Sequence, residues 1–594
     1  MPSSDPVFAA ASAAAPAPEA IVFGPLPGLF GWYHAPTQPA ASCAVVICYP
    51  LHYEGLCTHR SHRKLALRLA GLGFAVLRFD YSGTGDSPGS DRDPARVRAW
   101  LDSVKTAAAE IRQRSGAAEI ALVGVRTGGL LAAAAAPDSK ASAVALWAPV
   151  SGRGYLREVT AFNSMRGKRE VPAGAVAPAG EESAGFLITP ETMTDLVQLE
   201  LNSMAPPAKR VLLLERDDLP ADNRLRETWA AAGAQVENGR PPGYRAMMVD
   251  PHLSRVPDEA WDEICNFLQR TFPAREERAP AGAAQTPPLQ TARMQTRSPA
   301  GEVDVVEETL WFDGGRLFGI VSEPAAGAPA PQQRTCVLLP TIASHHRIGA
   351  NRLHVLWARE MPALGYGTLR FDVSGTGDSG VNFTGVENAP YAEEQATDLQ
   401  RAIDAMSARG YRRFVSVGIC SGAYLVYHAT LIEPRMGGSV LINPQTFHWR
   451  KGDLVQPPGS RMANFKSSRA YRRAVLQPRT WMRLLRGEVE AVAVLRELMR
   501  RVRKKVRWIR DRSTVLRDFQ QLSDRGVETL LIFGADDVGI DYLESHLGKG
   551  GRAMQGRPNF QLELVEGTEH TFGQMWAQDR LTRTLMQFLQ QRFP

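Results

Sequence analysis

The segment GLGFAVLRFDYSGTGDS, ending at Ser87, returns as ALGYGTLRFDVSGTGDS, ending at Ser379, an offset of 292 residues. A repeat at that distance means that one folding unit is used twice. The surroundings repeat in the same order: a short hairpin (IVFGPLPGLFGWY, then ETLWFDGGRLFGIV), an apolar strand ending in proline (CAVVICYP, then CVLLP), and a helix leading into LRFD. Within each half, short apolar runs such as IALVGV, AVALW and RVLLL alternate with helical stretches, which implies parallel strands joined by crossover helices. The fold class is therefore α/β, two tandem domains, each a mostly parallel doubly wound sheet. Residues 274–302 are rich in Ala, Pro, Gly and Gln without apolar periodicity, as expected of a linker. This divides the 594 residues into an N-terminal tail (1–20), a first domain (21–273), the linker, and a second domain (303–594).

The most informative string is FVSVGICSGAYLVYHATLI, where an apolar strand (Phe414 to Val417) runs into Gly418-Ile419-Cys420-Ser421-Gly422 and then a helix. This is the G-x-nucleophile-x-G elbow with cysteine in the central slot. Its glycines allow a turn too sharp for side chains, and the turn exposes the central residue. The helix that follows favours an anion at its N-terminus, which activates a thiol. A nucleophile needs a base, and the base needs an orienting carboxylate. After the strand TLLIFG stand Ala535-Asp536-Asp537, and after QLELVEG stand Thr568-Glu569-His570. Asp537 fits the G-x-x-D spacing from Gly534, with Asp536 as the alternative, and His570 precedes a final helix.

The matching elbow of the first half is Gly124-Val125-Arg126-Thr127-Gly128, with arginine as the central residue. Asp218 and His252 match Asp537 and His570, at acid-to-histidine separations of 34 and 33 residues. The first site is thus expected to be degenerate: an acid and a base remain without a nucleophile, and Arg126 is left either for packing or for binding an anion.

Both halves resemble the α/β-hydrolase superfamily, most closely its serine-aminopeptidase-like (S33) and exosortase-associated hydrolase branches. The elbow, the RFDxSGTGDS segment, the acid and the histidine carry that resemblance. In that family the nucleophile is usually serine, and here Cys420 replaces it. The resemblance implies an oxyanion hole made by the N–H of Ser421 and one from the loop after Pro340, at Thr341 or Ile342. It also implies a lid between elbow and acid, about 150–208 in the first half and about 446–524 in the second. His345 and His346 lack partners at ligand spacing and read as loop residues lining the cleft, so neither a metal nor another cofactor is expected.

Six cysteines with no CxxC pair make neither a disulfide framework nor a zinc site, so a cysteine that matters acts as a thiol. An acyl-cysteine is itself a thioester, so transfer from a thioester is nearly isoenergetic. The expected function is a cysteine-dependent acyl-enzyme hydrolase or acyltransferase on an activated acyl group, with a thioester placed first. The alternatives are a lactone or ester hydrolase, or a non-catalytic scaffold. The net charge of +7 conceals a local excess, because residues 461–517 hold 18 Lys/Arg against 4 Asp/Glu. Apolar residues at helical spacing (Leu495, Leu498, Val502, Val506, Ile509) alternate there with basic ones. That face suits an acidic acyl-carrier protein first and an anionic surface second; nucleic acid is disfavoured. The chain has no run of roughly 18 apolar residues and no basic stretch ahead of its N-terminal alanines, so a cytoplasmic protein without a transmembrane segment is expected.

Overall fold

The computed structural model of the chain describes residues 17–37, 41–166, 171–172, 175–273, 292–325, 334–341, 345–381, 385–389, 391–449, 514–535, 537–568 and 570–594. The first hairpin is β1 (Glu19–Phe23) with β2 (Leu29–His34), so its first strand begins inside the tail expected over 1–20. The strands β3 (Cys43–Cys48), β4 (Ala75–Phe79), β5 (Glu119–Val125) and β6 (Ala143–Trp147) are almost wholly buried. Runs with no polar face must be covered on both sides, which parallel strands with crossover helices achieve. A small hairpin, β7 (Glu181–Ser183) and β8 (Phe186–Ile188), lies in the insertion before β9 (Arg210–Leu214) and β10 (Gln235–Gly239). The main sheet runs β1-β2-β4-β3-β5-β6-β9-β10 and is antiparallel only at its β1–β2 and β2–β4 pairs.

The second half repeats this plan with β11 (Arg293–Arg297), β12 (Asp304–Phe312), β13 (Leu317–Pro324), β14 (Thr335–Pro340), β15 (Gly367–Asp372), β16 (Arg413–Ile419), β17 (Met436–Ile442), β18 (Glu528–Gly534) and β19 (Phe560–Val565). Its order is β11-β12-β13-β15-β14-β16-β17-β18-β19, the first sheet's order with one strand added at the antiparallel edge. The added strand corrects the expected linker: within 274–302, Arg293–Arg297 pairs with β12. Its RMQTR sequence hides the strand because a short edge strand buries little, here Met294. The first insertion (150–208) holds helices Gly152–Arg166 and Pro190–Val197 besides the small hairpin. Of the second insertion (446–524), residues 450–513 lie outside the described residues, and 514–524 form a helix that buries Val515, Phe519 and Leu522.

The repeated segment explains how the halves meet. In each copy a serine ties the turn: Ser87 Oγ donates to Asp80 O (2.6 Å) and accepts from Phe30 N (2.9 Å), and Ser379 does the same with Asp372 O (2.6 Å) and Phe318 N (2.9 Å). Each copy also reaches across. Arg78 of the first half pairs with Asp378 of the second, and Arg370 of the second pairs with Asp86 of the first (3.3 Å). These two pairs are equivalent under the 292-residue offset, so the interface has pseudo-twofold symmetry, as in a self-complementary dimer. Arg347 bridges Asp86 (2.6 Å), Asp372 and Asp378 (2.9 Å each), while Trp32 packs edge-on against Phe318 at 4.6 Å. All these charges are buried, and only mutual pairing makes that tolerable.

Candidate active site

β16 passes into helix Ser421–Ile432 through Cys420, whose backbone is left-handed (φ 54°, ψ −115°). A cysteine at that geometry costs about 1–3 kcal/mol, which the surrounding structure must impose. It does so by packing. A Cβ on Gly418 would run into the Gly422 carbonyl, and Cys420 N donates to Ile442 O of β17 at 2.9 Å. The first half keeps the same elbow with the side chain changed: Arg126 has φ 56° and ψ −123°, and its N–H donates to Trp147 O at 3.0 Å.

β18 delivers Asp537 and the loop after β19 delivers His570. His570 Nδ1 lies 2.5 Å from Asp537 Oδ2, and Asp537 Oδ1 accepts the Gly539 N–H at 2.6 Å. Burial by itself would lower the His570 pKa, but negative charge at Cys420 and hydrogen bonds to Asp537 and Cys420 outweigh it and push it up to about 10. Cys420, His570 and Asp537 are therefore brought together. The alternative acid, Asp536, lies outside the described residues.

Three residues near the site have no sequence signature. Asn443, at φ 45°, accepts from Gly534 N (2.9 Å) and donates to His570 O (2.8 Å), locking the acid strand to the histidine loop. Gln445 Nε2 lies 3.3 Å from His570 Nε2. Tyr391 OH lies 4.0 Å from Cys420 Sγ, and its ring meets Tyr424 edge-on and stacks with Trp449. Only alignment of the two halves offers a hint: Asn443 N donates to Ile532 O as Ala148 N does to Leu214 O, so the first half carries alanine where the second carries this asparagine.

A cleft of about 310 Å³ opens beside the elbow, lined among others by Thr341, Thr376, Tyr391, Gln395, Ser421 and Tyr424. Ser421 is the first residue of the helix, as an oxyanion donor requires. Thr341 does not fit its expected part, because its N–H is spent on Phe371 O at 3.1 Å, continuing the β14–β15 ladder. Ile342, the alternative, lies outside the described residues.

The first half forms no comparable arrangement. Arg126 is buried and already neutralised by Glu54 (3.0 Å) and by Glu158, so it has no charge to offer an anion. Asp218 turns to Arg216, which donates two 2.9 Å hydrogen bonds, and among the described residues His252 Nε2 is buried without a partner. His345 and His346 do not line the Cys420 cleft; they face the first half. His346 stacks on His59 at 3.9 Å beside an interface cavity of about 580 Å³, and His345 sits against Tyr53. Burial holds both neutral, near 4 and 3 respectively. Among the described residues, no cluster of three or more His, Cys, Asp or Glu could hold a metal ion, and no helix is long and apolar enough to cross a membrane.

A family model described as serine aminopeptidase, S33, matches residues 51–171, and one described as alpha/beta hydrolase family matches 336–581. Two uncharacterised proteins of Mycobacterium tuberculosis, strains H37Rv and CDC 1551, are each 35% identical over 132 residues, 18% of this chain and 45% of theirs. The chain thus spans less than half the length of these curated relatives. Similar solved structures include a serine hydrolase without lid from Xanthomonas campestris (15% identity, TM-score 0.29, 44% of this chain and 97% of that one). Est1E from Butyrivibrio proteoclasticus is another (15% identity, TM-score 0.29, 42% and 99%). With a family model of the same superfamily on each half, over two sheets of matching strand order, the chain is a tandem of α/β-hydrolase folds and a member of that superfamily.

Proposed function

We propose that the second half is a cysteine-dependent acyl-enzyme hydrolase or acyltransferase acting on an activated acyl group, a thioester before an ester or lactone. The observation that carries this reading is His570, held by Asp537 on one nitrogen at 2.5 Å and hydrogen-bonded to Cys420 at the elbow. Cys420 Sγ attacks the acyl carbon, and the carbonyl oxygen takes the electron pair while the Ser421 N–H stabilises it. As that pair returns, the carbon–leaving-group bond breaks and His570 protonates the departing thiolate or alkoxide. The acyl-cysteine then meets water or an acceptor, whose proton His570 removes during attack. Asp537 keeps the imidazole oriented throughout. The first half, with Arg126 in the nucleophile slot, takes no chemical part.

The test pairs a substrate panel with point variants. Cys420→Ala is expected to abolish turnover of S-phenyl thioacetate and p-nitrophenyl acetate, with thioester turnover the faster in the parent. His570→Ala is expected to cost roughly a hundredfold or more, and Arg126→Ala less than about tenfold. Undiminished turnover in Cys420→Ala would sink the mechanism. The basic stretch within 461–517 supports an acidic carrier as the natural acyl donor. Arg503→Glu, Lys504→Glu and Arg507→Glu together should raise KM for a carrier-bound thioester and leave S-phenyl thioacetate unaffected.

A further inference from the structure

The cleft wall beside Cys420 is not held by the second half alone. Ala389, Tyr391 and Ala392 form that wall. Two nearby residues without glycine's freedom, Asn388 (φ 59°) and Tyr391 (φ 65°), are left-handed, a conformation that persists only where the surroundings impose it. Both domains hold this segment: within the second half Asn388 N donates to Gly375 O at 2.9 Å, and the first half grips it from the other side. Glu387 is directed at helix His52–Gly71 of the first half, where Lys64 (2.9 Å), Arg63 (3.0 Å) and Arg60 (3.3 Å) converge on its carboxylate. Burial alone would raise that carboxyl, but the three cations hold it down at about 2. Asn388 Nδ2 donates to Pro251 O at 2.9 Å. Pro251 precedes His252, so the first half's own histidine loop, without a nucleophile to serve, carries the other domain's cleft wall.

A second brace meets the histidine side. Glu182 of the first half's small hairpin accepts the N–H of Met575 (3.3 Å), and Gly185 O accepts from Gln578 Nε2 (2.9 Å). Both contacts fall at the start of helix Met575–Arg592, just after His570.

We propose that the degenerate first half is a positioning subunit for the Cys420 site, with Glu387 as the positioning residue that clamps the Tyr391 wall. The inference rests on the reading of Cys420 as nucleophile. Removing the carboxylate leaves three clustered cations to repel one another and frees the strained wall to relax. A shift of about an ångström in a cleft wall is enough for large losses in turnover, whereas a small alkylating reagent needs no wall.

The experiment uses the full chain carrying Glu387→Gln, with Glu387→Asp as the conservative variant. Three readouts are taken: turnover of p-nitrophenyl butyrate, alkylation of Cys420 by iodoacetamide, and hydrogen exchange over residues 385–395. Glu387→Gln is expected to lower kcat/KM roughly tenfold or more. Cys420 alkylation should stay within about twofold, exchange over 385–395 should rise, and Glu387→Asp should recover most of the turnover. Unchanged turnover with unchanged exchange overturns the proposal, as does a parallel fall of turnover and alkylation, which marks a merely structural contact. If the parent shows no Cys420-dependent turnover, the nucleophile reading fails instead. Exchange over 385–395 then still decides whether the first half clamps this wall.

Discussion

At the scale of single residues, the site turns on a histidine whose proton is held more tightly in the folded chain than in the unfolded one. His570 is pushed up to about 10 against an ordinary value of 6.5, burial opposing the shift and the charge at Cys420 and its hydrogen bonds producing it. A raised pKa means that the folded state binds the proton better, so this contribution to stability is complete below about pH 6.5 and disappears as pH rises towards 10. Urea unfolding of the parent and of His570→Gln should therefore give stabilities that differ most near pH 6 and converge by pH 10. A constant difference across that range would show that the imidazole is not charged in the fold. The other five cysteines are all buried, and burial pushes their thiols up, Cys48 and Cys265 to about 12. Iodoacetamide at neutral pH is accordingly expected to label Cys420 first, read by peptide mass spectrometry.

At the scale of elements, the elbow is a packing problem solved by glycine. A methyl on Gly418 would meet backbone atoms of Gly422 and Ala423, which cannot swing aside as a side chain would. Gly418→Ala should cost roughly 3 kcal/mol, the upper end for overpacking. Gly437→Ala, where a Cβ meets its neighbours at 3.6 Å or beyond, should change stability by less than about 0.5 kcal/mol. Thermal unfolding of the two variants checks the contrast. The elbow was legible because its constraint is local: five consecutive residues between a strand and a helix declare it. Thr341 was misread for the opposite reason. Whether a backbone N–H is available depends on the neighbouring strand, and β15 takes that N–H through Phe371. Asn443 was invisible because an asparagine before a proline reads as turn chemistry until β18 and the histidine loop come within reach of it.

At the scale of the whole molecule, the duplication has become an interface. Asp86→Ala takes one carboxylate from Arg347, which keeps Asp372 and Asp378, and one from Arg370, which keeps Glu307, so the loss is expected at about 3 kcal/mol, the lower end for a buried pair broken on one side. Calorimetry of this variant should show the two halves melting in separate transitions where the parent shows greater overlap. A single unshifted transition would mean that the seam contributes nothing to coupling. Acid should weaken the second half beside the seam, where Glu307 pairs with Arg359 and Arg370 of its own half. Glu307 is held down at about 2: burial would raise it, but Arg359 and Arg370 prevail. Its stabilising share is present above about pH 4.5 and is lost as pH falls towards 2.

The amino-acid sequence determined the duplication, the α/β class, the elbow with cysteine at its centre, and the chain order of acid and histidine. Each of these is written in contiguous residues, where spacing and apolar pattern act directly on the backbone. Tertiary structure alone decided that the repeated RFDxSGTGDS turns grip each other, that Arg126 is spent on Glu54 and Glu158, and that Glu387 ties the Cys420 cleft to the first half. Partners such as Arg78 and Asp378 stand 300 residues apart. No periodicity links charges at that separation; only the two packed sheets bring them within bonding distance and bury them so that they must pair.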